Sequence, residues 1–457
     1  MRVLLLVALL ALSVPSSAST APLTVDDAVR MALQRNTSVV QSQASTLSAR
    51  SGLWSAYSQM LPSVAADWTR SGSLTGSSVG AQVFGSVSFP SSAYDAERYS
   101  GSYGLTGRWA ILSPTAIAGL SSAQQGMRAA NLGAAATRAD VRLETHRRFY
   151  AVVKSMHLAR VASQALRAAR DDERRVNALF AVGSVSKSDL LKARVRTAQS
   201  QLDSLLSDHA VVTQRIALAN QLGMGEGSLG EVDSTLTANA STVEAATLLT
   251  EAQRNRPDLM AAEASLRSAE LGLRSARWSR LPSVSISGSW TPKSTASSKQ
   301  FYTAGHDPVP VGNPPAPSRG VSGSSESKSS WGGQIAIGMN LFDGFATDAR
   351  IAAARAQLLR ARETREALLR NLEGEVHQAV LAHQEAMERE SLARSTVAAA
   401  SENLNLVQQK YNVGSATILD LIDSQVQLQR AQSDLVSALA DIRIAEAVVQ
   451  RVRGQRD

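Results

Sequence analysis

Asp420 and Asp423 stand at a spacing that could do chemistry. Three positions apart on a helix, they share a face, so two carboxylates meet the same solute. They follow Tyr411-Asn412-Val413-Gly414-Ser415-Ala416-Thr417, where one glycine turn interrupts a long helical pattern. Thr417-x-x-Asp420 is also a helix-start capping box, which competes for Asp420. Asp423 falls outside that box. Far upstream, Phe180-Ala181-Val182-Gly183-Ser184 repeats the turn, and Asp189 follows Ser186 as Asp420 follows Thr417. Lys192 stands where Asp423 would be, so Asp423 is the stronger candidate for a role beyond local structure.

Other chemistry is sparse. The six histidines (His146, His157, His209, His306, His377 and His383) lack metal-ligand spacing. There is no cysteine, which excludes disulfides, Cys-based metal sites and a lipidated N-terminal cysteine. No nucleophile, base and oxyanion donors form a constellation. We expect no enzyme, no cofactor and no metal. Arg142, Arg147, Arg148, Arg174 and Arg175, with Asp171, Asp172 and Glu173 nearby, read as a solvated helix face with intrahelical pairs. Basic residues are scattered through helices rather than clustered, so nucleic acid is not an expected partner.

The elements that must position the two turns are long helices. From about Ala116 to Phe180, and from about Phe345 to Lys410, turn signals are absent apart from isolated glycines. At 1.5 Å per residue, some 65 residues make a rod of about 100 Å. Leu369, Leu372, Val376 and Ala379, then Val397, Leu404 and Val407, form an apolar stripe suited to coiled-coil packing. The return helices continue it through Leu190, Ala193 and Leu202, and through Leu419, Ile422 and Val426. The low aromatic content, 4% against 44% hydrophobic, fits helices packed closely side by side.

Strands flank these helices. Ser283-Val284-Ser285-Ile286-Ser287-Gly288-Ser289-Trp290 alternates, serine on one face and apolar residues on the other. Ile335, Ile337, Met339 and Leu341 share a face, as do Val64, Ala66 and Trp68, and Tyr103, Leu105, Trp109 and Ile111. Trp68, Trp109, Trp290 and Trp331 lie near strand ends, where the interface aromatics of a membrane barrel sit. A soluble sheet packing one face on a core is the competing reading, yet no other segment offers such a core. Four strands cannot close a barrel, since about eight are the usual minimum. Several chains must then contribute. The intervening segments are rich in Gly and Ser: Ser71 to Ser100 offers an extra hairpin with Phe84 and Phe89, and Thr291 to Ser330, richer also in Pro, reads as a solvated loop.

The plan occurs twice. Gln34-Arg35-Asn36 with Leu61-Pro62-Ser63-Val64 answers to Gln253-Arg254-Asn255 with Leu281-Pro282-Ser283-Val284. Ile111-Leu112-Ser113-Pro114 answers to Leu341-Phe342-Asp343-Gly344, and the two Val-Gly-Ser turns answer to each other. Landmarks kept in order indicate a duplication. The expected organisation is a signal peptide over 1–18, a first repeat over 19–239 and a second over 240–457 with the longer loop 291–330. Each repeat begins with one helix, Val25 to Met60 and Val243 to Arg280. In the signal, Arg2 precedes the apolar run Val3 to Leu12, and cleavage fits after Ala18 or Ala21. No later stretch has eighteen consecutive apolar residues, so a membrane is crossed by β-strands or not at all.

Taken together, Leu61-Pro62-Ser63-Val64 with Leu281-Pro282-Ser283-Val284, Asn255-Arg256-Pro257-Asp258-Leu259, Leu341-Phe342-Asp343-Gly344 and Tyr411 through Asp420 resemble the TolC-type outer-membrane efflux and secretion channel family. The resemblance covers essentially the whole chain after the signal. It implies a fold of long α-helical coiled-coil hairpins forming an α-barrel, with four strands per chain contributing to a trimeric twelve-stranded β-barrel. It implies a homotrimer in outer-membrane lipid with a periplasmic tunnel, meeting a periplasmic adaptor and, through it, an inner-membrane pump. Such a channel is a passive conduit for efflux or type I secretion. Asp420 and Asp423 match aspartates that ring the periplasmic gate in that family, where six carboxylates in a trimer would favour cations. Val182, Gly183, Ser184, Val413, Gly414 and Ser415 become the tips that contact the adaptor. The alternative is a structural or adhesive coiled coil of the envelope with no pore. Neither substrate nor pump class is legible.

Overall fold

In the computed structural model the described residues are 22–80, 82–89, 92–225, 227, 229–237, 243–302, 309–310 and 319–454. The signal segment and both cleavage positions lie outside them, as does most of the Pro-rich stretch 303–318. Among the described residues no helix is long and apolar enough to cross a membrane. The chain divides into two compact units. One comprises Met1–Ala49, Gly126–Leu266 and Arg360–Asp457; the other comprises Arg50–Gln125 and Arg267–Leu359.

The helical unit is built from parts of eight helices. These are α1 (Val25–Arg35), α2 (Thr37–Ser58), α3 (Pro114–Ala181), α4 (Lys187–Gln221), α5 (Ala245–Asn255), α6 (Pro257–Trp278), α7 (Ala346–Asn412) and α8 (Ile418–Arg453). The two long helices and their returns stand where the apolar stripes place them. The first helix of each half does not: Val25 to Met60 breaks at Asn36, and Val243 to Arg280 breaks at Arg256. Both breaking residues adopt extended backbone. Pro257 explains the second break, since a proline disfavours helical geometry in the residue before it. At the first, the Asn36 side chain accepts from Ser38 N–H at 2.9 Å and donates to the Gln221 carbonyl at 2.8 Å. That side chain meets backbone groups that a helix end leaves unsatisfied.

Glycines seat both breaks. Gly223, after α4, has φ 68°, and a Cβ there would lie 2.8 Å from the Arg35 carbonyl oxygen. Gly454, after α8, has φ 74°, and its Cβ would lie 2.8 Å from Arg256 N. Left-handed backbone and absent side chain are both required at each position. Residues on both sides of each break join an apolar cluster. One joins Ala28, Ala32, Val39, Val152, Val153, Leu218 and Leu222. The other joins Leu248, Ala252, Leu259, Leu372, Val376 and Val449.

The second unit is a sheet. Its strands β1 (Ser63–Val79), β4 (Ser92–Leu112) and β5 (Ser283–Tyr302) pair antiparallel in that order. The far edge of β5 is covered twice: Ser283–Thr291 pairs with β8 (Ser330–Gly338), and Ser294–Tyr302 pairs with β7 (Arg319–Ser327). Four strand positions result. A small sheet of β2 (Gln82–Phe84), β3 (Val87–Phe89) and β6 (Val309–Pro310) accompanies them. The extra hairpin expected with Phe84 and Phe89 is β2 with β3, while the described residues of the loops expected over Ser71 to Ser100 and Thr291 to Ser330 are largely strand, because β1, β4, β5 and β7 run through them. Backbone pairing there proceeds without an apolar face, as in Ser71 opposite Ser100, whose hydroxyls bond at 2.7 Å.

Candidate functional site

Both turns close by the same backbone bonds. Ser184 N–H reaches the Leu179 carbonyl and Gly183 N–H the Phe180 carbonyl; Ser415 reaches Lys410 and Gly414 reaches Tyr411. This is a Schellman close, and it requires the left-handed residue that Gly183 and Gly414 supply at φ 76° and 78°. Ser186 and Thr417 then cap the return helices. At the second turn the capping box is complete. Thr417 N–H donates to Asp420 Oδ2 at 2.8 Å, and Asp420 N–H donates to Thr417 Oγ1 at 3.2 Å. Those bonds from Thr417 hold the Asp420 carboxyl below the usual carboxylate range.

Asp423 sits one turn further on, exposed, with no hydrogen bond or ion pair among the described residues. The two candidate carboxylates therefore differ: one oxygen of Asp420 is committed to the cap, and Asp423 is uncommitted. Lys192, its counterpart on α4, lies 3.4 Å from Asp189. Val182 and Val413 project at the turns, 74% and 79% exposed.

The two hairpins share one core. Val176, Leu190, Ala193, Ile418 and Leu421 are buried together, with Tyr411, Leu404 and Val407 against them. Polar bridges also cross between the hairpins. Gln425 Nε2 donates to Asp172 Oδ2 at 2.6 Å, and Arg196 Nη2 donates to Gln429 Oε1 at 2.8 Å. Burial pushes the Asp172 carboxyl up, opposed by the Gln425 bond and by Arg175. The basic run holds the intrahelical pairs expected of it, Arg148 with Glu144 and Arg174 with Asp171. Asp172 departs from that reading: it is buried. Its partner lies 253 residues away in sequence, and no local pattern announces it.

A second network escaped the sequence. Buried Arg256 makes a two-pronged contact with Asp258, at 3.0 and 2.5 Å, and also donates to Glu375. Arg451 lies 2.8 Å from Asp140 and 3.6 Å from Asp258. Burial works against the Asp258 charge, but the Arg256 bonds and the charges of Arg256 and Arg451 outweigh it and hold its carboxyl low. Asn255-Arg256-Pro257-Asp258-Leu259 was the only signal for it. Of the histidines, His383 is buried, and His157 Nε2 lies 2.8 Å from the Ser234 carbonyl.

The sheet divides the tryptophans between two levels. Register sets Trp68 opposite Tyr103, and Leu105, Trp290 and Trp331 in the adjoining row. Trp109 lies lower, opposite Ile286, and its indole N–H donates to the Met60 carbonyl at 3.0 Å. Val64, Ile286, Ile335 and Ile337 fall between or beside these levels on the same face, all exposed. The other face carries Ser63, Ala65, Thr106, Ser287, Ser289 and Gln334. An exposed apolar band bordered by aromatics is the pattern expected on strands that face lipid.

The family model for outer membrane efflux proteins matches residues 248–455, from α5 through the second turn to the end of α8. Over its second half the chain is similar to that family. Over 128 residues it is 32% identical to the outer membrane efflux protein BepC of Brucella suis biovar 1 (strain 1330), covering 27% of each chain. It is 24% identical over 270 residues to Nodulation protein T of Rhizobium leguminosarum bv. trifolii, covering 57% of this chain and 52% of that one. The matches thus span about a quarter to a half of those relatives. Among solved structures, the Campylobacter jejuni CmeC outer membrane channel superposes with TM-score 0.75 at 16% identity, over 94% of this chain and 85% of that chain. The open state of the Neisseria gonorrhoeae MtrE outer membrane channel gives 0.72 at 17%, over 94% and 88%. The likeness of fold therefore extends across both units.

Proposed function

We propose that three copies of this chain form a passive outer-membrane channel for efflux or type I secretion. The carrying observation is the four-position sheet with an exposed apolar face. Three such sheets, joined edge to edge, make a closed twelve-stranded barrel with its apolar face to lipid and its Ser/Gly face to water. The helices then form a periplasmic tunnel. Its two turns, through Val182–Ser184 and Val413–Ser415, meet an adaptor and through it an inner-membrane pump, which supplies the energy. Asp423, with Asp420 behind its cap, gates the periplasmic mouth. Trp68, Trp290 and Trp331 mark one lipid interface, and Trp109 the other. The paired breaks at Asn36 and Arg256 and the twin Schellman turns support an ancient duplication, with halves meeting near residue 240. The match of residues 248–455 to the efflux family model and the likeness of the fold to solved channels favour a pore over a poreless coiled coil.

Membrane fractionation with gel mobility tests this. A trimer is expected in the outer-membrane fraction of unboiled samples, collapsing to a monomer band on boiling. A soluble monomer would overturn the reading.

A further inference from the structure

One row of the hydroxyl-rich face holds a lone cation. Register aligns Ser63, Arg108, Ser287 and Gln334 across β1, β4, β5 and β8. The next row reads Ala65, Thr106, Ser289 and Gly332. Arg108 is exposed, and no carboxylate pairs with it among the described residues. By register, Asp67 is the nearest acid on that face, four positions along β1 from Ser63, and it accepts from Thr106 Oγ1 at 2.9 Å. Arg108 stands near the end of β4 that hands the chain to α3 at Pro114. The unit containing this sheet carries fourteen Arg and Lys against eight Asp and Glu.

We propose that Arg108 forms an anion-binding ring at the inner end of the barrel. The proposal rests on the trimeric channel reading above. Threefold symmetry sets three guanidinium groups at one level, among serines and glutamines that offer hydrogen bonds but no counter-charge. A guanidinium stays ionised at every physiological pH. Three separated cations favour a solute able to meet more than one, so the ligand class is multivalent anions, oligophosphates or polycarboxylates. The acidic ring proposed at the turns has the opposite sign, so the two rings discriminate between solutes in opposite senses.

Purified trimers in planar bilayers, with inorganic tripolyphosphate added on the barrel side, test the ring. Wild type is expected to be blocked, and Arg108→Ser is expected to raise the half-blocking concentration about tenfold or more. Arg108→Lys keeps the charge and stays within about threefold of wild type. Arg70→Ser, on the face shared with Trp68, leaves the block unchanged. An unblocked wild type, or equal block of wild type and Arg108→Ser, overturns the ring while leaving a conducting channel intact. Block lost in Arg70→Ser and kept in Arg108→Ser overturns it by reversing the faces. Trimers that never conduct overturn the channel reading, and the ring falls with it.

Discussion

At the scale of single residues, three carboxylates near the turns do three different things. Asp420 is fastened to Thr417 and stabilises the start of α8. Asp423 is exposed and uncommitted, and under the proposed gate Asp423→Asn is expected to raise the concentration of a multivalent cation needed for half-block, added on the helical side, by roughly tenfold. Unchanged block in planar bilayers would remove Asp423 from the gate. Asp172 is buried with a raised pKa. A carboxyl raised on folding contributes stability that is complete below its unfolded pKa and is lost as pH rises through the folded one. The shared core of the hairpins is therefore expected to be tighter at a pH below the ordinary carboxylate range than at neutral pH. Asp172→Asn keeps an acceptor for Gln425 and should flatten that dependence. Hydrogen exchange of the Gly183 and Gly414 turns at the two pH values reads it; a wild type with no pH response contradicts it.

At the scale of elements, glycines with the same backbone sit in different surroundings. A Cβ at Gly183 would meet nothing within 4 Å, whereas at Gly454 it would meet the Arg256 and Asn255 backbone. Gly183→Ala is expected to cost about 1 kcal/mol, the left-handed penalty alone. Gly454→Ala adds a backbone clash and should cost about 2–4 kcal/mol. Thermal unfolding in detergent separates the two, and equal losses would show the close approach to be unimportant. Gly454 also shows where sequence reading stopped. The helical stripes, both turns and the Thr417–Asp420 box were legible because each is a local pattern. The breaks at Asn36 and Arg256 were not, since apolar spacing carries on across them, although Pro257 was in view. The strands were legible only as far as one face stayed apolar. Beyond Trp68 and Trp290 both faces turn to Ser, Gly and Thr, the period-two contrast vanishes, and strand looks like loop.

At the scale of the whole molecule, the proposed adaptor contact falls on the turns. Val182 and Val413 are exposed apolar side chains at turns otherwise closed by their own backbone bonds. Such residues supply contact area without being needed for the turn. The double substitution Val182→Asp with Val413→Asp is expected to leave heat-modifiable trimers in the outer membrane and to abolish efflux of a reporter dye, at least tenfold in rate. Retained efflux would place the partner elsewhere. The Asp172–Gln425 and Arg196–Gln429 bridges were invisible at this scale, because sequence distance hides which faces of four long helices meet.

The two outer strands of the sheet have a consequence of their own. β1 spans 17 residues, and its second edge has no partner among the described residues. A long open edge is a template for any strand that drifts past. In the proposed trimer a solitary chain leaves this edge open to further pairing, and closure with its own copies removes it. Folding of the sheet and counting of subunits become a single event. Its yield should then rise with the local concentration of nascent chains up to the point where open chains outcompete rings.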